Sequence, residues 1–143
     1  HIVLCLSDGL LAQCGIDLDT HRGEIAAGNL SALCDCPFVL GSAEDIGGRI
    51  GRGLLRSSGV SPVSKATSEN VETLLALCEQ GVGACFCPEN LLHTALSPAQ
   101  LTHLHILPLC PEASYPICFG YLSRSYPWSV LSEFIRIARE QTA

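Results

Sequence analysis

Thiols dominate the residues in this sequence that can do chemistry. Nine cysteines stand among 143 residues. Two pairs, Cys34-Asp35-Cys36 and Cys85-Phe86-Cys87, have one-residue spacing, and His93, His103 and His105 lie elsewhere in the chain. Structural zinc typically takes ligands with about two to four residues between them, so this spacing argues against a zinc module. In an extended strand, residues i and i+2 share a face, which points Cys85 and Cys87 together into a core. Most of the cysteines sit in apolar runs, as in Val82-Gly83-Ala84-Cys85-Phe86-Cys87 and Ile117-Cys118-Phe119. Free cysteine behaves there as a small buried hydrophobe. The expectation is structural thiols in a reducing compartment, with no metal and no cofactor; a redox-sensing pair is the distinct alternative.

Other reactive types do not assemble into a catalytic set. Ser42 lacks the Gly-x-Ser-x-Gly elbow of a hydrolase nucleophile. Gly47-Gly48-Arg49-Ile50-Gly51 lacks the Gly-Lys-Ser/Thr ending of a phosphate-binding loop. Arg49, Arg52 and Arg56 read as a solvated helix face in preference to an anion clamp, and His93 as a surface helix residue. The chain is therefore expected not to be an enzyme. Small polar residues follow two strands, as Gly41-Ser42-Ala43 and as Thr67-Ser68. In open α/β sheets ligands bind beyond the carboxyl ends of strands, and small residues ahead of a helix N-terminus leave N–H groups for a ligand. The competing role is plain capping, by Ser42 in a box with Asp45 and by Ser68 ahead of the next helix. Glu44 and Asp45 already suit the dipole of that first helix and repel a carboxylate. A simple dianion is thus the wrong ligand for this loop.

The elements that must position these residues follow from periodicity. Ile2–Leu6, Pro37–Leu40 and Val82–Cys87 are short apolar runs of buried-strand type, and Val60–Thr67 is a weaker strand. Leu10–Gln13 forms at most one helical turn, and 15–32 reads as an irregular loop with a turn near Asn29. Ile46, Ile50 and Leu54 recur every four residues on a glycine-weakened helix. Val71, Leu74, Leu75 and Cys78 make the clearest apolar stripe, ended by Gly81 at the position that favours a positive φ. A short helix over Glu89–Leu96 precedes a turn at Ser97-Pro98. Alternation marks 103–109, and Pro116–Leu122 reads as a stronger strand. Pro127 opens a final helix striped by Val130, Leu131, Phe134, Ile137 and Ala138, with Tyr126 and Trp128 packed at its entrance. Strands alternating with helices imply an α/β fold with a mixed, mainly parallel sheet flanked by helices.

Bulk properties narrow the function classes. Hydrophobic residues make up 48% and charged residues only 15%, enough for a core and low for a free surface. The net charge of −6, with eight Lys plus Arg, excludes nucleic-acid binding by this segment, because phosphate contacts rest on basic side chains. No apolar run approaches the roughly 20 residues of a membrane span, and no signal peptide is read at the start.

The order and spacing over 37–89 carry a family resemblance. Pro-Phe-Val-Leu, a small polar loop, an Arg-bearing helix and Ser-Gly-Val-Ser-Pro lead to a helix ending in Gly81-Val82-Gly83, a buried strand and Pro88-Glu89. Leu107-Pro108-Leu109, the strand that follows and the last helix extend the match, and Val3-Leu4-Cys5-Leu6-Ser7 is similar to a lobe-crossing strand. The whole resembles the effector-binding domain of LysR-type transcription regulators. The resemblance implies a lobe like that of type II periplasmic binding proteins, and a small-molecule effector held in a cleft between two lobes. Gly41, Ser42, Ala43, Asp45, Ile46, Thr67 and Ser68 then line one wall. It further implies a partial domain, about 1–102 as second lobe with first crossover and about 103–143 as return strands and C-terminal helix. Self-association as dimer or tetramer, a cytoplasmic location and DNA contact only through a winged helix-turn-helix outside this sequence complete the expectation. An extracytoplasmic solute-binding protein of the same fold is the alternative, disfavoured by the thiols.

Overall fold

The computed structural model describes residues 1–110, 113–122 and 128–142. Five strands form two sheets that meet edge to edge. β1 (Ile2–Ser7) lies between β4 (Cys85–Pro88) and β5 (Leu104–Pro108), antiparallel to both. β2 (Pro37–Leu40) pairs in parallel with β3 (Val63–Thr67). A parallel bridge between Phe38 and Ala84 joins β2 to the start of β4. There the Val39 N–H donates to the Ala84 carbonyl at 2.9 Å and the Ala84 N–H to the Pro37 carbonyl at 2.8 Å. The spatial order is therefore β3-β2-β4-β1-β5. Gly83 sits at this junction, where a Cβ would lie 2.8 Å from the Phe38 carbonyl carbon, so only glycine lets the two sheets close.

Both faces of the sheet are covered, and side-chain alternation sorts the core into two halves. Ile2, Leu4 and Leu6 of β1, Phe38 and Leu40 of β2 and Phe86 of β4 point to one side. There they meet Leu10 of α1 (Asp8–Cys14), Leu18 and Ile25 of α2 (Leu18–Ala26) and Leu55 of α3 (Ile46–Ser57). The Phe38 and Phe86 rings lie parallel with centroids 5.9 Å apart. Val3, Cys5, Val39, Cys85 and Cys87 point to the other side, against Leu74, Leu75 and Cys78 of α4 (Val71–Glu79). Leu92 of α5 (Leu92–Ala95) and Leu96 close that half. α6 (Pro98–Leu101) and α7 (Ser129–Thr142) complete the chain. No described helix is long and apolar enough to cross a membrane.

Several elements differ from the sequence expectation, each for a physical reason. The mixed α/β class holds, with a larger antiparallel share than strand–helix alternation implies. β1 enters between β4 and β5 with no crossover helix joining it to either, which frees it to run against both. The segment 15–32 contains α2, whose Asp17 cap accepts from the Asp19 N–H at 3.1 Å and from the Thr20 hydroxyl at 2.7 Å. With only Leu18 and Ile25 buried on it, too few apolar residues mark its period. α1 is seven residues long, capped by Ser7 and ended by Gly15 at φ 65°. Gly81 does take a positive φ, 76°.

The predicted strand at Pro116–Leu122 does not form. Residues 114–120 are irregular, and Ile117, Phe119, Tyr121 and Leu122 are exposed. No described strand pairs with this segment. Trp128 is exposed too, contrary to the expected packing at the helix entrance; Tyr126 and Pro127 lie outside the described residues.

The glycines of α3 serve its approach to the sheet. Gly47, Gly48 and Gly51 form its buried face, and a Cβ on Gly51 would run into the Phe86 ring. On Gly53 it would meet nothing within 4 Å. Gly51→Ala should therefore destabilise the fold by about 1–3 kcal/mol through overpacking. Gly53→Ala should stabilise it by up to about 1 kcal/mol through helix propensity. Urea midpoints of the two variants check the opposite signs.

Candidate functional site

The carboxyl ends of β2 and β3 bring the two predicted loops together. Leu40 and Thr67 are register partners, and the Ser68 N–H donates to the Leu40 carbonyl at 3.2 Å. Gly41-Ser42 and Thr67-Ser68 thus form one crest. Because β2 parallels β4 and β1 runs against β4, the crest lies at the end of the sheet where β1 begins and β4 and β5 finish. The Glu89 N–H donates to the His1 carbonyl at that same end, at 3.1 Å.

The Gly41–Asp45 loop is held by its own polar groups. Ser42 Oγ accepts from the Asp45 N–H at 3.2 Å, and Asp45 Oδ2 accepts from the Gly48 N–H at 2.8 Å. Asp45, with φ −68° and ψ 142°, is the N-cap of α3; the helix starts three residues later than a Ser42 cap implies. Arg52 Nη1 donates to the Gly41 carbonyl at 2.6 Å and to the Gly48 carbonyl at 3.4 Å. A Cβ at Gly48 would collide with the Ser42 carbonyl oxygen, so glycine is required where α3 meets the loop.

The predicted wall residues fall into three groups. Ser42, Thr67 and Ser68 present hydroxyls at the crest, with Gly41 buried beneath them. Ala43 is exposed beside Glu44. Asp45 and Ile46 turn back into the protein, Asp45 onto Gly48 and Ile46 partly buried against the core. Ser68 Oγ accepts from the Asn70 N–H at 3.1 Å, while Asn70, not Ser68, caps α4 through the Thr73 N–H at 2.9 Å. Asn70 wins because its amide oxygen reaches the third N–H of the helix. A hydroxyl that accepts one bond still has a hydrogen to donate, so turn support and ligand contact are compatible at Ser42.

Sequence reasoning passed over Arg52. It reads as part of a solvated stripe, yet its guanidinium fixes the Gly41 carbonyl; the signal was its place one helical turn beyond Gly48. Arg56 and Arg52 also border an open hollow of about 370 Å³ with Gly59, Val60, Ser61 and Pro62, apart from the Ser42 crest. Among the described residues no group of three or more His, Cys, Asp or Glu is arranged for a metal ion. His105 Nε2 lies 2.7 Å from Asp8 Oδ1, and His103 Nδ1 lies 3.8 Å from Asp8 Oδ2, at the opposite end of the sheet. Cys85 and Cys87 face the core together, as their spacing predicts. Burial, reinforced by Cys14, pushes the Cys36 thiol up to about 12.

This geometry is a mixed sheet covered by helices on both faces, with a small-residue crest at its strand ends. The sequence model for the LysR substrate binding domain matches residues 2–143, and the chain belongs to that family. Among solved structures it is similar to HinK, a LysR family transcriptional regulator from Pseudomonas aeruginosa. That pair has a TM-score of 0.62 and 17% identity over 99% of this chain and 44% of that one. The effector binding domain of QuiR in complex with shikimate matches with a TM-score of 0.61 and 12% identity, over 99% and 60% of the two chains. Full-length CbnR complexed with target DNA gives 0.53 and 15%, over 97% and 44%. The chain thus spans about half the length of these proteins. A comparison with curated proteins finds no significant match.

The Asp45 cap should matter to stability whatever binds the crest. Asp45→Ala should cost about 0.5–2 kcal/mol, while Asp45→Asn should keep most of it, since Asn caps as well as Asp. Chemical denaturation of both variants reads the difference.

Proposed function

We propose that this chain is the second lobe of the effector-binding domain of a LysR-type regulator. Residues of about 1–102 form that lobe with its first crossover, and about 103–143 form the segments that return to the first lobe. The chain has no chemistry of its own in this reading. The observation that carries it is the convergence of Gly41-Ser42 and Thr67-Ser68 at the sheet end where the chain enters β1 and leaves β5. An effector bound between this crest and a facing lobe contacts Ser42, Thr67 and Ser68. Glu44 and the Asp45 carboxylate set a negative edge there, and the helix N-terminus is already occupied by Asp45. The ligand group meeting this wall is hydroxyl- or amine-bearing in preference to a dicarboxylate.

Effector binding acts by favouring one arrangement of the domain within an oligomer, which demands different affinities in the two states. DNA contact belongs to a winged helix-turn-helix elsewhere in a longer protein, consistent with the acidic balance here. Six of the nine cysteines are buried, as small hydrophobes are, which supports a reducing cytoplasm. Ile117, Phe119, Tyr121, Leu122, Val130, Phe134 and Ile137 leave an apolar surface open, which favours self-association.

Calorimetric titration with polyols, amines, dicarboxylates and shikimate tests the site. Ser42→Ala and Thr67→Ala should each weaken a binder by about five- to tenfold, the value of one net hydrogen bond. A submillimolar ligand indifferent to both substitutions would sink the reading. Light scattering of the purified chain should show mass rising with concentration; a monomer throughout would count against association through this surface.

A further inference from the structure

Away from the crest, α3 carries two guanidiniums without an acidic partner. Arg52 and Arg56 stand one helical turn apart on the same face. Both border the open hollow of about 370 Å³, together with Gly59, Val60, Ser61 and Pro62. Among the described residues neither arginine forms an ion pair. Like charges at this spacing repel each other on a helix. The chain as a whole carries a net charge of −6, so an unneutralised basic pair is a local exception.

The Arg52 fork is already oriented. Its Nη1 donates to the Gly41 and Gly48 carbonyls at 2.6 and 3.4 Å, which fixes the guanidinium plane and occupies one corner of it. A guanidinium holds its N–H donors in one plane, so the edge formed by Nε and Nη2 is left for a bidentate partner. That edge matches two oxygens of a carboxylate or phosphate. The end of α3 does not oppose an anion here. The Leu54, Leu55 and Arg56 carbonyls belong to the negative end of the helix dipole. They accept from the Ser58, Val60 and Gly59 N–H groups at 3.0, 2.8 and 3.0 Å, and so are already satisfied. Arg56 lies in the last turn of the helix, where its charge suits the dipole, but that role does not use its fork. Ser61 adds an exposed residue with a hydroxyl to the lining. The volume of the hollow falls within the roughly 300–1,000 Å³ of ligand pockets, enough for an ion and a small organic group.

We propose that Arg52, Arg56 and Ser61 form a second ligand site, for one small dianion of the phosphate class, either the free ion or a phosphate monoester. A dianion matches the two guanidiniums in charge. A tetrahedral oxyanion takes the bidentate Arg52 edge and still has an oxygen for Arg56 and for the Ser61 hydroxyl. A monocarboxylate, with one charge and two oxygens, satisfies only one guanidinium. The site does not depend on the reading of the crest. It lies at the loop that enters β3, whereas the crest lies where β3 ends. Helical periodicity alone reads both arginines as solvated; the hollow beside them is made by the turn after α3, which the sequence does not place.

The test titrates the purified, nitrogen-15-labelled chain and follows proton–nitrogen correlation spectra, at about pH 7.4, above the second phosphate pKa of about 6. The probes are inorganic phosphate and glycerol phosphate, with sodium acetate at matched ionic strength as control. Both phosphates should shift the Arg52 and Arg56 Nε signals and the Gly59 and Ser61 amides saturably, and acetate should not. Tighter binding of one phosphate tells whether the hollow takes the free ion or an organic ester. Arg56→Gln should weaken binding by about tenfold or more, the least expected for losing a hydrogen bond to a charged group. Arg52→Lys keeps the charge but loses the fork, and should weaken it as well. Arg49→Gln removes the same charge from an exposed position of α3 outside the hollow, and should leave binding unchanged. Absence of saturable shifts with both phosphates would overturn the proposal, as would equal affinities of the Arg56→Gln and Arg49→Gln chains.

Discussion

Strand β1 has no solvent side. All six of its residues are buried, and its two neighbours run against it, so its alternating side chains build both halves of the core at once. Ile2, Leu4 and Leu6 seat the side that holds α1, α2 and α3; Val3 and Cys5 seat the side that holds α4. A one-residue slip in its register would exchange the two sets and put Cys5 under the α3 side. The same strand sets which end of the sheet the crest shares. Its antiparallel pairing with β4 and β5 puts the chain's entry and exit at one end of the sheet, and the β2–β3 crest opens at that end.

The crest in turn depends on how closely α3 can approach. Gly83 lets the two sheets join, and Gly48 lets the helix start press against the Ser42 carbonyl. Arg52 then fixes the loop from behind by donating to Gly41. Side chains larger than hydrogen at these points would lift α3 and spread the crest from Thr67. The glycines that cost helix propensity are thus what allows a short, tight loop to hold its shape.

The sequence made much of this legible where a residue's role is local. Strands β1, β2 and β4 are continuous apolar runs, α4 has a full apolar stripe, and the glycine at 81 must take a positive φ; all three features survive in the structure. The hydroxyl-bearing residues at the two strand ends were also readable, because their position follows from strand direction. Long-range facts were not. The antiparallel placement of β1 depends on partners 80 or more residues away in the chain. The Gly41–Arg52 contact depends on the height at which α3 docks. Cap choice was misread at Ser42 and Ser68 because Asp45 and Asn70 offer equal chemistry closer to the helix. The segment at 116–122 is read as a strand from its composition, but a strand is a relation between two segments, and composition gives only one.

The electrostatics of the crest follow from the same economy. A helix N-terminus facing a ligand cleft is a ready anion receptor when its N–H groups are unclaimed. Here the Asp45 carboxylate claims one of them, and Glu44 stands exposed beside it. The nearest guanidinium, on Arg52, is turned inward to two backbone carbonyls. The charge that another arrangement would offer to a ligand is spent on fixing the loop. What remains outward at Ser42, Thr67 and Ser68 is neutral, directional hydrogen bonding. Such a wall discriminates by the pattern of hydroxyl or amine groups on its ligand, because a mismatched partner leaves a desolvated polar group unpaired. If the proposed function holds, selectivity at this crest rests on shape and hydrogen-bond register, and any carboxylate on the ligand is better met from the opposite side of the cleft.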